Sequence, residues 1–236
     1  MGNSPQGLQL DRVVLLGRTL EEYRRYFALD LDSWRGRRVL DVASGVSSFC
    51  AEANAAGLDV TACDPIYART PESLRPQCAA DLDLVVAGVR GKPTYRWDFY
   101  RTPEGMRAFR ESACRGFLAD FAAHPARYVV GQLPALPFAD GAFDLALVSY
   151  LLFAYERQFD YDFHRRAVLE LMRVTRGEAR LYPVVSFEAQ RSEYIARFQE
   201  DPTLAHLRFE VVPTDFEFLV NSNFYLRVTH REPTGA

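Results

Sequence analysis

Asp41, Gly45 and Asp64 are the residues whose types and spacing most plainly serve a ligand. Each aspartate belongs to a short apolar run, Val39-Leu-Asp-Val and Leu58 to Asp64, and a loop of small residues, Ala43-Ser44-Gly45, leads from the first run into a helical stretch ending at Ala56. Strand, tight loop, helix, strand is a parallel βαβ unit. Such a unit sets the first loop beside the end of the second strand, at the carboxyl edge of the sheet, where open α/β folds bind ligands. Asp64 follows Gly45 by nineteen residues, close to the roughly 20-residue spacing at which an acidic residue grips a ribose. An adenosine-bearing molecule is the first ligand to consider.

A dinucleotide fingerprint needs glycine at three positions, held here by Ala43, Gly45 and Ser48, so the close approach of backbone to a pyrophosphate fails at two of them. S-adenosylmethionine carries no phosphate. Its methionine tail needs only small residues to lie past, which Ala43, Ser44, Gly45 and Ser47 provide. Further along, a β-rich run from Arg127 to Gln132 precedes Leu133-Pro-Ala-Leu-Pro-Phe, a turn at Asp140-Gly141 and a buried strand from Phe143 to Tyr150.

On these residues, Val39 to Val148, the chain resembles the class I S-adenosylmethionine-dependent methyltransferases. Asp41 matches the acidic position of their first motif and Gly45 its middle glycine, while Ala43 and Ser47 stand where the flanking glycines do. The resemblance implies that Asp64, with Pro65 and Ile66, holds the ribose, and that Gln132 stands where an aspartate commonly accepts from the adenine amino group. A glutamine carbonyl accepts equally well, and the Leu133 backbone would touch the base. Ser149 and Tyr150, at the carboxyl edge of the fourth strand, are placed by the resemblance where an acceptor's proton must go. A tyrosine with an ordinary pKa of about 10 is a poor base at neutral pH, so Tyr150 is expected to orient the acceptor.

The implied fold is α/β: a Rossmann-like, seven-stranded, mostly parallel sheet with helices on both faces and a C-terminal antiparallel hairpin. Periodicity by itself shows only alternating α and β elements. Thr19-Leu-Glu-Glu is a capping box opening a helix with Leu20, Tyr23, Phe27 and Leu31 at helical spacing. Tyr23 either lines the cofactor cleft or belongs to the core. A helix is expected from about Asp162 to Val174, ended by Gly177, then a strand from Ala179 to Val185 and a helix from Ser192 to Gln199. Phe209 to Phe218 and Phe224 to Thr229 read as the final pair.

About sixty residues, Tyr67 to Arg127, separate the second and third strands, so an inserted lid or substrate platform is expected there within one domain spanning 1–236. The segment carries ten basic and seven acidic residues, and at its centre Tyr95, Arg96 and Trp97 could stack on a planar acceptor and hold an anion. The plainer reading sends Tyr95, Trp97 and Phe99 to the core and leaves Arg96 and Asp98 in water. His164, near Asp160 and Asp162, reads as structural or solvated.

The 236 residues, 48% hydrophobic and 25% charged, suit one globular domain. Four cysteines without a CxxC pair and four histidines suggest neither a disulfide framework nor a metal site. A net charge of −3 argues against bulk electrostatic binding of nucleic acid. The longest uncharged apolar run, Leu145 to Tyr155, is short of the roughly 20 residues that cross a bilayer, and Gln6 stands where a myristoylation signal after Met1-Gly2 needs Ser or Thr. Both ends, Met1 to Gln6 and Arg231 to Ala236, read as frayed tails. A cytoplasmic S-adenosylmethionine-dependent methyltransferase acting on a small molecule is the expectation; the alternative is a binding domain that has lost catalysis and serves a partner. The altered glycines and the missing base favour the second reading, and Asp41, Asp64 and the long insertion favour the first.

Overall fold

In the computed structural model, residues 7–231 are described; the expectations for Met1-Gly2 and Gln6, and for all of the C-terminal tail but Arg231, lie outside them. Five strands, β1 (Arg38–Val42), β2 (Asp59–Cys63), β3 (Tyr128–Val129), β4 (Phe143–Ser149) and β5 (Thr175–Tyr182), run parallel, and β6 (Leu207–Pro213) and β7 (Phe224–His230) close the sheet antiparallel. The strand order is β3-β2-β1-β4-β5-β7-β6, a seven-stranded Rossmann-like sheet. Its order reverses between β1 and β4, which opens a crevice above their carboxyl ends. Val39 and Leu40 of β1 and Leu145 to Val148 of β4 are almost wholly buried, as strands covered on both faces must be.

Helix α1 (Leu20–Tyr26) starts on the capping box, with the Thr19 side chain accepting from the Glu22 N–H and Glu22 reaching back to the Thr19 N–H. Helix α2 (Phe49–Ala55) links β1 to β2. The 67–127 segment is mostly two long helices, α3 (Pro71–Val89) and α4 (Pro103–Ala123), packed on each other, with α4 also against α2. Both begin Thr-Pro-Glu: Thr70 and Thr102 cap the Ser73 and Gly105 N–H groups, and a proline sits where no N–H is needed. That signal was present in the sequence. Helices α5 (Tyr161–Val174) and α6 (Tyr194–Glu200) complete the set.

Several boundaries differ from expectation: α1 ends at Tyr26, before Leu31, β5 ends at Tyr182 and not Val185, and α6 runs Tyr194–Glu200 and not Ser192–Gln199. Gly177 does not stop α5; the helix passes straight into β5 at Thr175, and Gly177 lies inside that strand opposite a register shift in β4. A Cβ there would sit 2.1 Å from the Asp144 carbonyl oxygen. Gly177→Ala should therefore destabilise by about 1–3 kcal/mol, measured by urea unfolding; an unchanged midpoint would show that β4 yields freely. Strand β6 ends at Pro213, short of Phe218; Thr214 N–H still donates to Asn223 O at 2.9 Å, and the proline is tolerated because β6 is the sheet edge. Residues 214–223 instead fold over the 94–100 loop, where Arg96 N–H donates to Phe218 O at 2.6 Å and Val220 N–H to Thr94 O at 2.8 Å. Strand β3 stops at Val129, and Gln132 turns back in a bridge to Ala135.

Candidate functional site

A cavity of about 420 Å³ opens above the carboxyl ends of β1, β2 and β4, within the range of small-molecule sites. Its floor is the loop after β1, with Ala43, Ser44, Gly45 and Ser47. One wall is the end of β2, Asp64, Pro65 and Ile66; Gln132 and Leu133 follow β3, and Ser149 and Tyr150 end β4. Tyr95 reaches the cavity from the insertion, as do Val85 and Val89 of α3 and Met106 and Arg110 of α4. Asp41, Arg96 and Trp97 are not among its lining residues. Arg96 is exposed, and half-buried Trp97 packs edge-on to Phe218 at 5.3 Å.

Asp41 lies beneath the loop, fully buried, accepting from Tyr23 Oη at 2.9 Å and Ser44 Oγ at 2.6 Å. Burial pushes its pKa up to about 7, against the pull of the two hydroxyls and with the charge of Asp64 adding to the rise. Ala43 and Gly45 are both left-handed, with φ of 54° and 55°. For the alanine this costs roughly 1–2 kcal/mol, so the loop is held in shape by its neighbours. Asp64 accepts from the Gly45 N–H at 2.9 Å and the Ile66 N–H at 3.0 Å, one on each oxygen, and Tyr67 Oη donates to Gly45 O at 2.9 Å. Burial raises the Asp64 pKa against those two backbone bonds. A carboxylate has about four lone-pair sites, so each oxygen keeps one for a ligand. A Cβ on Gly45 would meet no atom within 4 Å.

No local pattern in the chain marks the charged cluster around Glu22, which lies behind Arg18 and Arg110 of the cavity lining. Glu22, fully buried, accepts on one oxygen from Tyr26 Oη at 2.9 Å, from Tyr100 Oη and from Arg110, and on the other from the Thr19 N–H and hydroxyl. Arg110 also donates to Gly17 O at 3.1 Å and to Tyr100 Oη at 2.6 Å. Arg18, nearly buried, lies over the Tyr150 ring at 4.3 Å and donates Nη1 to Leu16 O. Its backbone ties the segment before α1 to the loop: the Arg18 N–H donates to Ser47 Oγ at 3.0 Å and the Ser48 N–H to Arg18 O at 2.9 Å. The Nε of both arginines and the hydroxyls of Tyr95, Ser149 and Tyr150 are buried without a hydrogen-bonding partner. Buried polar groups are almost always satisfied; these five belong to residues that line the cavity, while two more, His164 Nε2 and Thr175 Oγ1, lie elsewhere.

Tyr150 has φ of 54° and its pKa is raised by burial; it offers a neutral hydroxyl. Tyr23 both lines the cavity and stacks on Phe49 at 4.2 Å, so the two readings of it coexist. His164 sits wholly buried away from the cavity, its Nδ1 2.8 Å from Asp160 O. Among the described residues no group of three or more His, Cys, Asp and Glu gathers as a metal site, and no helix is long and apolar enough to cross a membrane.

Sheet order and crevice together define a Rossmann-like α/β protein. The chain belongs to the family of the uncharacterized protein MJ0045 of Methanocaldococcus jannaschii, to which it is 34% identical over 218 residues, 92% of this chain and 96% of that one. No protein-family model matches it. Among solved structures it is similar to the 16S rRNA (adenine(1408)-N(1))-methyltransferase of Catenulisporales acidiphilia, with a TM-score of 0.45, 16% identity and 88% and 94% of the two chains covered. It is similar also to a SAM-dependent methyltransferase of Aquifex aeolicus, at 0.41, 11%, 89% and 95%. A TehB-like SAM-dependent methyltransferase of Corynebacterium glutamicum gives 0.43, 17%, 84% and 82%. Values this low carry no inference about activity.

Proposed function

We propose that the chain binds S-adenosylmethionine in this cavity and transfers its methyl group to a small molecule, with the 67–127 segment covering the acceptor side. The observation that carries the reading is Asp64: a buried carboxylate at the end of β2, braced by two backbone N–H groups and holding free lone pairs beside a glycine whose missing Cβ leaves open space. In this reading Asp64 accepts from the two ribose hydroxyls, Gln132 and the Leu133 backbone meet the adenine edge, and Ser44 and Gly45 flank the methionine tail. Arg18, whose backbone N–H is tied to Ser47 Oγ and whose Nε has no partner, pairs with the methionine carboxylate. What the cofactor supplies when bound is an electrophilic sulfonium methyl. The protein then contributes mainly position: Ser149 and Tyr150 orient the acceptor, the apolar walls exclude water, and orientation carries much of the acceleration. Four free cysteines, three of them buried, suit a reducing cytoplasm.

Calorimetric titration with S-adenosylhomocysteine tests the reading. Binding is expected, with NAD much weaker, and Asp64→Ala should weaken S-adenosylhomocysteine at least tenfold, since each charge-assisted bond to a ribose hydroxyl is worth roughly 1.5–3 kcal/mol. NAD binding as tight as the sulfur nucleotide, or an unchanged dissociation constant in a folded Asp64→Ala protein, would overturn it. One observation favours the alternative of a non-catalytic binding subunit: among the described cavity-lining residues there is no histidine, and the one carboxylate is Asp64. Methyl acceptors that need no base, or none at all, would follow from that.

A further inference from the structure

Besides the strand ends, the lining of this one cavity includes apolar residues from several distant segments, which together form its apolar lobe. Leu10 and Val14 of the segment before α1, Val85 and Val89 of α3, and Phe187 and Phe218 wall it. The cavity's polar lining includes Gln77, the Tyr155 hydroxyl, which accepts from the Val14 N–H at 3.2 Å, and the hydroxyls of Tyr95, Ser149 and Tyr150, which have no hydrogen-bonding partner. Two cations reach the lining, Arg18 and Arg110. Glu22 is bonded directly to Arg110 and lies close enough to Arg18 to feel its charge. One carboxylate thus serves two guanidinium groups, and the surplus charge is the one that the methionine carboxylate answers in the reading above. No unanswered cation is left for the acceptor.

We infer that the methyl acceptor is an uncharged, largely apolar small molecule whose body fills this lobe and whose single polar group meets the hydroxyls of Tyr95, Ser149 and Tyr150. The inference rests on the cofactor reading, which assigns Arg18. A charged acceptor would have to bring its ion against apolar walls, where an unpaired charge is strongly disfavoured. A nucleotide fails on the same ground, because its phosphate finds no donor cluster in the lobe. A neutral molecule with one hydroxyl or ring N–H leaves its apolar surface against leucine, valine and phenylalanine and satisfies the orphaned hydroxyls at once.

Matched aromatic probes test this on the full protein saturated with S-adenosylhomocysteine. By calorimetry 1-naphthol should bind at least tenfold more tightly than 1-naphthoate, and Tyr95→Phe and Phe218→Ala should each weaken 1-naphthol threefold or more while S-adenosylhomocysteine affinity stays within twofold of wild type. Equal or tighter binding of 1-naphthoate, or no binding of 1-naphthol by protein that does bind S-adenosylhomocysteine, would overturn the acceptor class and leave the cofactor reading standing. Binding of 1-naphthol by protein that binds no S-adenosylhomocysteine would overturn the cofactor reading and with it the acceptor role of the lobe.

Discussion

Replacing Glu22 with glutamine is expected to cost about 3–5 kcal/mol of folding stability, the usual penalty for leaving a buried ion without its partner. The glutamine has the same shape, so packing stays and charge goes. Arg110, 3% exposed, loses its counter-ion, and the charge that Glu22 shares with Arg18 is removed. Tyr26, Tyr100 and the Thr19 hydroxyl and N–H, all donors to the carboxylate, then face a group with one acceptor oxygen and an amide that can only donate. Burial pushes the Glu22 pKa up, but Arg110 and Arg18 outweigh it and hold it below the usual value. A carboxylate depressed in the folded state adds stability above its unfolded pKa and loses it as pH falls through the folded one. Wild type should therefore weaken in acid for this reason and the variant should not. Urea unfolding at pH 7 measures the gap, and a loss under 1 kcal/mol would show that the two arginines are answered elsewhere.

The second large effect has the opposite sign. Asp41 holds its proton up to about pH 7 in the folded protein, against an ordinary value of 3.8. Between those values the native state binds the extra proton, so stability declines as pH rises through the window and levels off above it. At 1.36 kcal/mol per unit the whole decline is on the order of 4 kcal/mol. Asp41→Asn removes the titration while keeping contacts for Tyr23 and Ser44, and should make the protein more stable than wild type at pH 8 with little change near pH 4. Parallel stability profiles for the two proteins from pH 4 to pH 8 would refute the assignment. The two windows adjoin, Glu22 acting below its ordinary value of 4.5 and Asp41 between 3.8 and about 7, so these two groups together give wild type a stability maximum near the boundary, and each variant removes one flank of it.

Both residues show where the reach of the sequence ends. The capping box marked Glu22 as the third residue of a helix, and the structure has that local arrangement. Nothing near it pointed to Arg110, 88 residues away, because an ion pair across the fold leaves no periodicity in the chain. Asp41, Gly45 and Asp64 were legible for the opposite reason. Loop, helix and strand of one βαβ unit are consecutive, and their geometry follows from local spacing. The Tyr95, Arg96 and Trp97 run was harder. Alternation named the three together, but residues 214–223 fold against the loop, Tyr95 forms a bridge to Leu219, and only Tyr95 reaches the cavity.

The sequence by itself determined the alternating α/β order, the capped start of α1, and the small-residue loop and acidic strand end that meet at the carboxyl edge, since each depends on residues close together in the chain. The tertiary structure alone decided that β6 stops at a proline, that α5 runs unbroken into β5, and that Arg18, Arg110 and the apolar lobe face the same cavity. Those features arise where segments distant in sequence compete for the same space and the same charge. Packing and desolvation settle that competition, and neither is written in local pattern.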